Sequence, residues 1–181
     1  MKKLTWILIA VILVALIGGA SVLYNQLSAD YMPEQMITQP AVETAPDFTV
    51  TDAQGNEVSL SDFFGKPIVL NFWASWCGPC QYEMPDFEEA YHQYGDRVEF
   101  LMVNLTDGYS ETVNSAKAFL DHTGYTFPVY FDTMSDGAET YQVFSIPCTY
   151  FLDRNGSIVS KNLGMISSDA LNQGIDLILS K

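Results

Sequence analysis

Positive charge is scarce in this chain of 181 residues, whose 8 lysines and arginines are outnumbered by 22 aspartates and glutamates. A formal net charge of −14 excludes a surface that binds nucleic acid, because the phosphates would be repelled. Cysteine and histidine are also rare, at three and two residues. Three cysteines cannot staple a scaffold, and only Cys148, His92 and His122 could complete a zinc site around the other two. We therefore expect neither a disulfide-stapled scaffold nor a structural zinc site.

The amino end carries the long apolar run Leu4–Leu23, preceded by two lysines within residues 1–3. About twenty apolar residues can span a bilayer, and the lysines place residues 1–3 in the cytoplasm and the remainder outside. The alternative is a cleaved signal peptide, for which 28–30 is a weak cleavage candidate. Residues 24–44 are expected to form an extracytoplasmic tether, or in part a segment packed on the domain, and residues 45–181 the folded domain.

The stretch Ile68–Cys80 begins with an apolar, branched run that predicts a buried strand, and it ends in a turn carrying two cysteines. Residues 81–91 are expected to form a helix, so that Cys77 lies at its amino terminus. Unpaired backbone N–H groups and the helix dipole favour negative charge there, which lowers the pKa of a thiol. Cys80 lies one turn further on and can close a disulfide with Cys77. The sequence therefore predicts a redox centre with one exposed, ionised sulfur.

Short segments of both types complete the domain. Strands are predicted at 48–51, 58–60, 98–104, 127–132, 146–152 and 157–160, and helices at 111–122, 137–141 and 168–179. The last two strands flank an Asn-Gly pair, which is a strong hairpin signal. A strand–helix–strand unit followed by an antiparallel hairpin predicts an α/β fold with a mixed sheet.

The segment Phe72–Cys80 reads FWASWCGPC and resembles the active-site segment of thioredoxins. Four further stretches narrow the resemblance to the TlpA/ResA branch: GNEVSLSD at 55–62, Glu83–Pro85, Phe127–Val129 and Ile146–Pro147. Members of this branch are membrane-tethered thiol-disulfide oxidoreductases outside the cytoplasm. The resemblance runs from about Ala45 to the end and implies a thioredoxin-like fold with an amino-terminal hairpin and a central strand–helix insert.

The resemblance also implies roles for individual residues. Cys77 matches the attacking thiol, Cys80 the resolving thiol, and Glu83 an active-site glutamate that handles protons or tunes the thiols. Pro147 matches a cis-proline that exposes the backbone of Ile146 to a substrate peptide. The expected docking surface consists of Trp76, Gly78, Pro79, Ile146 and Pro147. Without the resemblance, Pro147 could be a trans proline at a strand start and Glu83 a solvated charge.

Two residues depart from the usual pattern. Asn71 stands where cytoplasmic thioredoxins carry a buried aspartate, and an amide cannot accept the proton of the resolving thiol, so Glu83 or water must take it. Cys148 stands where the family usually has threonine. It is expected either to pack as a small apolar residue or to act as a third thiol that pairs with Cys77 or tunes it.

The remaining polar residues of the helices are expected to carry no chemistry. This prediction puts five side chains on solvent faces: Asp86, Glu88, Glu89, His92 and His122. Trp73 is expected in the core, and Pro85 is expected to kink the active-site helix.

These features predict thiol-disulfide exchange in which the Cys77–Cys80 pair reduces a substrate protein, without organic cofactor or metal. The resemblance implies apocytochrome c, another oxidised secreted protein or a methionine sulfoxide reductase as substrate, and a membrane thiol carrier of the CcdA type as electron donor. The chain is expected to be a monomer on the outer side of the cell membrane. Two alternatives are a disulfide-forming oxidase and a metal-binding module or copper chaperone. A peroxidase is disfavoured because the Thr-x-x-Cys pattern of peroxiredoxins is missing.

Overall fold

The structure is a computed structural model that describes Gly19 and residues 43–181. Apart from Gly19, the predicted membrane span lies outside the described residues, as does the predicted tether up to residue 42. Across the described part of the chain, no helix combines the length and the apolar character needed to cross a bilayer.

Residues 43–181 form seven strands and four α-helices, and the first two strands and the last two strands follow one another directly. The strands are β1 (Thr49–Thr51), β2 (Glu57–Ser59), β3 (Ile68–Trp73), β4 (Glu99–Asn104), β5 (Val129–Phe131), β6 (Cys148–Leu152) and β7 (Ile158–Leu163). The α-helices are α1 (Gly78–Tyr94), α2 (Val113–Thr123), α3 (Asp136–Thr140) and α4 (Ser168–Leu179), and a 3₁₀ turn covers Leu60–Phe63.

The strands form one mixed sheet in the order β2-β1-β5-β4-β3-β6-β7. β3 pairs in parallel with β4, and β4 with β5, whereas β6 is antiparallel to both β3 and β7. Every side chain of β3 is buried, which explains why its sequence is apolar at every position except Asn71 instead of alternating. The predicted α/β fold with a mixed sheet is confirmed.

Two hydrophobic clusters lie on opposite faces of this sheet, because successive side chains of a strand alternate between its faces. One cluster contains Val69 and Trp73 with the buried sides of α1, α2 and α4. The other contains Leu70 and Phe72 together with the β1–β2 region. Trp73 is fully buried, as the sequence predicted.

Several element ends differ from the prediction for identifiable reasons. Leu60 does not extend β2 but opens the 3₁₀ turn, because the Asp62 carboxylate accepts a 2.9 Å hydrogen bond from Ser59 N–H and closes a cap. β6 begins at Cys148 and not at Ile146, consistent with the missing N–H of the intervening proline. The first residues of the described domain also belong to the fold, since Ile158 N–H donates to the Glu43 carbonyl, so the end of the predicted tether packs on the sheet.

Candidate functional site

The two active-site cysteines lie where β3 passes into α1. Cys77 is the N-cap of α1, and its Sγ accepts a 3.2 Å hydrogen bond from Cys80 N–H. Pro79 occupies the first turn of the helix, where its missing N–H costs nothing. The two sulfurs are joined as a disulfide, with the Cα atoms 5.2 Å apart. The predicted redox centre is therefore assembled at the helix amino terminus.

Both cysteines are nevertheless buried in this disulfide form. Cys77 is 4% exposed and Cys80 fully buried, because both pack into the hydrophobic cluster beneath α1. The sequence predicted an exposed sulfur at the helix tip, whereas the neighbouring Trp76, at 58% exposure, is the residue that meets solvent. A substrate can therefore reach the Cys77 sulfur only by binding to the residues that surround it.

An apolar groove of about 440 Å³ lies beside the disulfide, and it is lined by Gly78, Pro79, Tyr82, Ile146, Pro147, Gly164 and Met165. The Ile146–Pro147 peptide bond is cis, as the resemblance implied. Four of the five predicted docking residues line the groove, and the fifth, Trp76, is exposed immediately before Cys77 in the chain. Sequence reasoning missed Tyr82, Gly164 and Met165. A large aromatic residue two positions after Cys80 was a usable signal for Tyr82, but no local pattern brings Met165 to this place.

Glu83, one turn after Cys80 on α1, is directed into the protein and is 2% exposed. Its Oε1 accepts a 3.0 Å hydrogen bond from Asn71 Nδ2, and its Oε2 accepts a 2.8 Å hydrogen bond from Ile166 N–H. Burial raises the pKa of Glu83 to about 7, although these two hydrogen bonds act to lower it. The reading of Glu83 as a solvated helix charge is wrong. A carboxyl group with that pKa can exchange a proton near neutral pH.

Asn71 supports Glu83 from the middle of β3. Its Nδ2 also donates to Thr149 Oγ1 on β6 at 3.0 Å, while its buried Oδ1 has no hydrogen-bond partner within the described residues. The amide can therefore serve both protonation states of Glu83. In the observed orientation it donates to a carboxylate, and after rotation its Oδ1 can accept from a carboxylic acid.

A second buried carboxylate, Glu111, contacts the active-site turn from the loop after β4. One of its oxygens accepts hydrogen bonds from Ser75 N–H at 2.7 Å and Ser75 Oγ at 2.8 Å, two residues before Cys77. The sequence assigned Glu111 to the start of a helix. The helix instead begins at Val113, because Thr112 caps it by accepting a 3.0 Å hydrogen bond from Ser115 N–H. Nothing in the spacing of Glu111 indicated a contact with the turn.

Cys148 is a free thiol next to the cis-proline and is 2% exposed. It pairs with Phe72 in the β3–β6 ladder and packs in the hydrophobic cluster of the β1–β2 region, whereas Cys77 and Cys80 pack in the other cluster. Burial, with a smaller effect from the charge of Glu83, raises the pKa of Cys148 to about 12. The environment is that of a small buried apolar residue.

The polar residues predicted on helix surfaces lie there with one exception. His92, His122 and Glu89 are exposed, and Asp86 is half-buried. Glu88 is the exception, since its carboxylate accepts hydrogen bonds from Thr126 N–H at 2.9 Å and Phe127 N–H at 3.2 Å. These two donors precede β5 and have no partner in a strand, so Glu88 fixes the approach to β5. The prediction of a solvent-facing Glu88 was wrong. Pro85 lies within α1, which continues past it.

A disulfide at a helix amino terminus, beside a cis-proline and on a mixed α/β sheet, defines the class of thioredoxin-like thiol-disulfide oxidoreductases. Sequence comparison agrees with this class. Residues 42–161 match the AhpC/TSA family, and the chain belongs to that family.

Individual relatives narrow the assignment within the family. The chain is 37% identical over 135 residues to the thioredoxin-like protein YneN of Bacillus subtilis, and this alignment covers 75% of the chain and 78% of YneN. It is 33% identical over 173 residues to the thiol-disulfide oxidoreductase ResA of Bacillus thuringiensis, covering 94% and 95% of the two chains. The crystal structure of the pneumococcal exposed lipoprotein thioredoxin Etrx1 of Streptococcus pneumoniae superposes with a TM-score of 0.64 at 32% identity, covering 72% of this chain and 98% of Etrx1. The resemblance to the TlpA/ResA branch is confirmed, and the chain is a ResA-like thiol-disulfide oxidoreductase.

Proposed function

We propose that this protein reduces disulfide bonds in other proteins outside the cytoplasm, with Cys77 as the attacking thiol and Cys80 as the resolving thiol. The observation that carries the proposal is the Cys77–Cys80 disulfide at the amino terminus of α1, beside an apolar groove. The helix terminus favours a thiolate at Cys77 once the disulfide is reduced, because unpaired N–H groups and the helix dipole stabilise negative charge.

The exchange takes place in two balanced steps. The Cys77 thiolate attacks one sulfur of a substrate disulfide, so that a mixed disulfide forms and the first substrate thiolate leaves. The Cys80 thiolate then attacks the Cys77 sulfur, which forms the Cys77–Cys80 disulfide and releases the second substrate thiolate. Two electrons pass from the dithiol to the substrate, and the two substrate thiolates take up protons from water. No organic cofactor or metal takes part.

Glu83 is the group that we assign to the proton of Cys80. It lies one helical turn from Cys80, at a spacing that brings side chains of a helix together. A carboxyl group with a pKa of about 7 can accept a proton in one step and return it in another near neutral pH. Asn71 lacks this capacity, so its part is to hold Glu83.

The substrate polypeptide is proposed to bind along the groove of Gly78, Pro79, Ile146 and Pro147, with the exposed Trp76 at its margin. Pro147 has no N–H to compete, so the backbone before it is open for strand-like pairing with an extended segment. Apolar lining groups then bind side chains that flank the substrate cysteine. We also propose that the protein acts as a monomer.

The proposed location outside the cytoplasm depends on the apolar run at Leu4–Leu23, and the name of the similar Etrx1, an exposed lipoprotein, supports it. A reductase in that compartment needs a supply of electrons through the membrane, so we propose a membrane thiol carrier of the CcdA type as donor. Apocytochrome c, other oxidised secreted proteins and methionine sulfoxide reductase are the candidate substrates.

Trapping of the mixed disulfide tests the assigned roles. The Cys80→Ser variant is expected to accumulate a covalent complex with a disulfide-bearing peptide through Cys77, whereas Cys77→Ser forms none. Failure of Cys80→Ser to form a complex, in a protein that alkylation shows to be reduced, would contradict the proposal.

The direction of exchange is tested by the reduction potential of the Cys77/Cys80 couple and an insulin-reduction assay. A potential of about −270 mV, that of thioredoxin, supports a reductase, and a potential of about −120 mV supports an oxidase. Metal analysis of the purified protein tests the copper-chaperone alternative, which requires stoichiometric metal and no insulin reduction.

A further inference from the structure

Glu111 joins the active-site turn to the start of α2, and we propose that it is a positioning residue that holds Ala74–Cys77 in the geometry from which Cys77 attacks. The inference rests on the proposed role of Cys77. It assigns a function to a carboxylate that takes no part in the exchange of sulfur bonds.

The contacts of Glu111 converge on one residue of the turn. Its Oε2 accepts both from Ser75 N–H and from Ser75 Oγ, at 2.7 and 2.8 Å. The third polar atom of Ser75, its carbonyl oxygen, accepts from Gln81 Nε2 in the first turn of α1. Ser75 is thus held by a carboxylate on one side and by the active-site helix on the other. Cys77 follows two residues later, and its N–H donates to the Ala74 carbonyl at 3.2 Å.

Glu111 is itself held rigidly. Its Oε1 accepts a 3.0 Å hydrogen bond from Ser115 Oγ, and its backbone N–H donates to Asp107 Oδ1 at 2.9 Å. The backbone carbonyl of Glu111 accepts from Gly108 N–H at 2.9 Å. The carboxylate is therefore fixed relative to α2 before it meets Ser75.

Burial of the Glu111 carboxylate costs free energy of folding, and this cost indicates that the group has a role beyond stability. Glu111 is fully buried, and its side chain makes no ion pair in residues 43–181, where the ion pairs are Lys66–Glu99 and His92–Glu88. A buried charge without a cation is expensive compared with an amide of the same shape. In exchange, charge-assisted hydrogen bonds to Ser75 are shorter and stronger than neutral ones. The carboxylate therefore costs stability, and what it provides is a more rigid active-site turn.

Rigidity of the turn matters because sulfur exchange needs three sulfur atoms nearly in line. A displacement of about 1 Å at a reacting atom can cost about a hundredfold in rate. Without Glu111, the N–H and hydroxyl groups of Ser75 lose their partner, and Trp76 and Cys77 move with the released backbone.

The experiment compares wild type, Glu111→Met and Glu111→Gln. Reduced proteins are assayed for kcat and KM in peptide-disulfide reduction and for the rate of Cys77 alkylation between pH 5 and 9. Glu111→Met, which removes the acceptor at similar length, is expected to lower kcat at least tenfold, with KM changed less, and to shift the pH midpoint of alkylation. Glu111→Gln keeps an oxygen for both Ser75 donors and is expected to recover most of that loss.

A milder matched pair keeps the test decisive if Glu111→Met does not fold. Ser75→Ala and Ser115→Ala each remove one hydroxyl donor from the same carboxylate, but only Ser75 belongs to the turn. Ser115→Ala also removes part of the α2 cap and one of the bonds that hold Glu111, so it is expected to lower the melting temperature and to lower kcat less than Ser75→Ala does. Ser75→Ala is expected to lower kcat severalfold.

Equal losses of kcat in the two serine variants, or losses that follow the melting temperature alone, overturn the inference. So does a Glu111→Met protein with wild-type kinetics. Failure of wild type itself to reduce the peptide contradicts the proposed function instead, so the two failures are distinguishable.

Discussion

The Glu83 carboxylate on the active-site helix accepts a 2.8 Å hydrogen bond from the backbone N–H of Ile166, in the segment between β7 and α4. Ile166 is buried, and its N–H is a fixed donor that can serve only an acceptor. This bond favours the ionised form of Glu83, whereas burial of the side chain opposes it. The balance leaves the pKa of Glu83 at about 7, where a small change in surroundings alters its charge.

The first prediction concerns the pH dependence of the reaction. If Glu83 accepts the proton of Cys80, resolution of the mixed disulfide slows as the pH falls below about 7, because the carboxylate becomes protonated. Glu83→Gln is expected to slow resolution by about a hundredfold and to remove the inflection near pH 7. Stopped-flow measurement of substrate release from the mixed disulfide between pH 5 and 9 checks this. Glu89→Gln, an exposed glutamate on the same helix, is the control. An inflection that persists in Glu83→Gln would show that another group titrates.

The second prediction concerns stability. The pKa of Glu83 rises from 4.5 to about 7 on folding, so the folded chain binds a proton that the unfolded chain releases within this window. The contribution of Glu83 to the free energy of unfolding is therefore fully present below pH 4.5, where its carboxyl group is neutral. This contribution is lost as the pH rises to 7. The total effect of this group is up to about 3 kcal/mol.

Urea denaturation of the oxidised protein at pH 4.5, 6 and 8 measures this contribution. Glu83→Gln should lose the fall in stability between pH 4.5 and 7, since its amide stays neutral and can pair with the free Oδ1 of Asn71. Glu89→Gln should retain it. Parallel pH curves for wild type and Glu83→Gln would refute the assignment.

The third prediction concerns Cys148. Its burial and raised pKa imply that the thiol stays unmodified by iodoacetamide at pH 8 in the folded protein, and that it reacts only after unfolding. Cys148→Ser is expected to leave the disulfide pattern under mild oxidation identical to that of wild type, as read by mass spectrometry. Any Cys77–Cys148 bond in wild type would instead support a third redox thiol.

The fourth prediction concerns the docking groove. Met165 is 55% exposed and lines the groove, so Met165→Asp adds a charge where an apolar substrate side chain would bind. This variant is expected to raise KM for a peptide disulfide several-fold to tenfold, with kcat nearly unchanged. Leu177→Asp, at 47% exposure on α4 and outside the groove, is the matched control. Equal KM values for the two variants would place substrate binding elsewhere.

Local patterns predicted much of the fold and the dithiol. The apolar run of β3, the Asn-Gly turn before β7 and the CGPC segment depend on neighbouring residues alone, so their physical signals are legible in sequence. The docking role of Pro147 came from a resemblance, because no local signal separates a cis from a trans proline. Glu88 and Glu111 were misplaced for a different reason. Each carboxylate binds backbone or hydroxyl donors more than 30 residues away, and a charged residue on a helical pattern has the same local appearance whether or not such donors are near.

Residue order alone decided that two sulfurs three positions apart would meet at a helix amino terminus, because strand, turn and helix are local structures. Tertiary packing decided the chemistry around them. The sheet and α1 bury Glu83 between Asn71 and Ile166 N–H, which moves its pKa to about 7. The pairing of β6 with β3 turns Cys148 away to the opposite cluster. Burial and electrostatic surroundings are properties of the packed chain, and the pKa values of these groups depend on both.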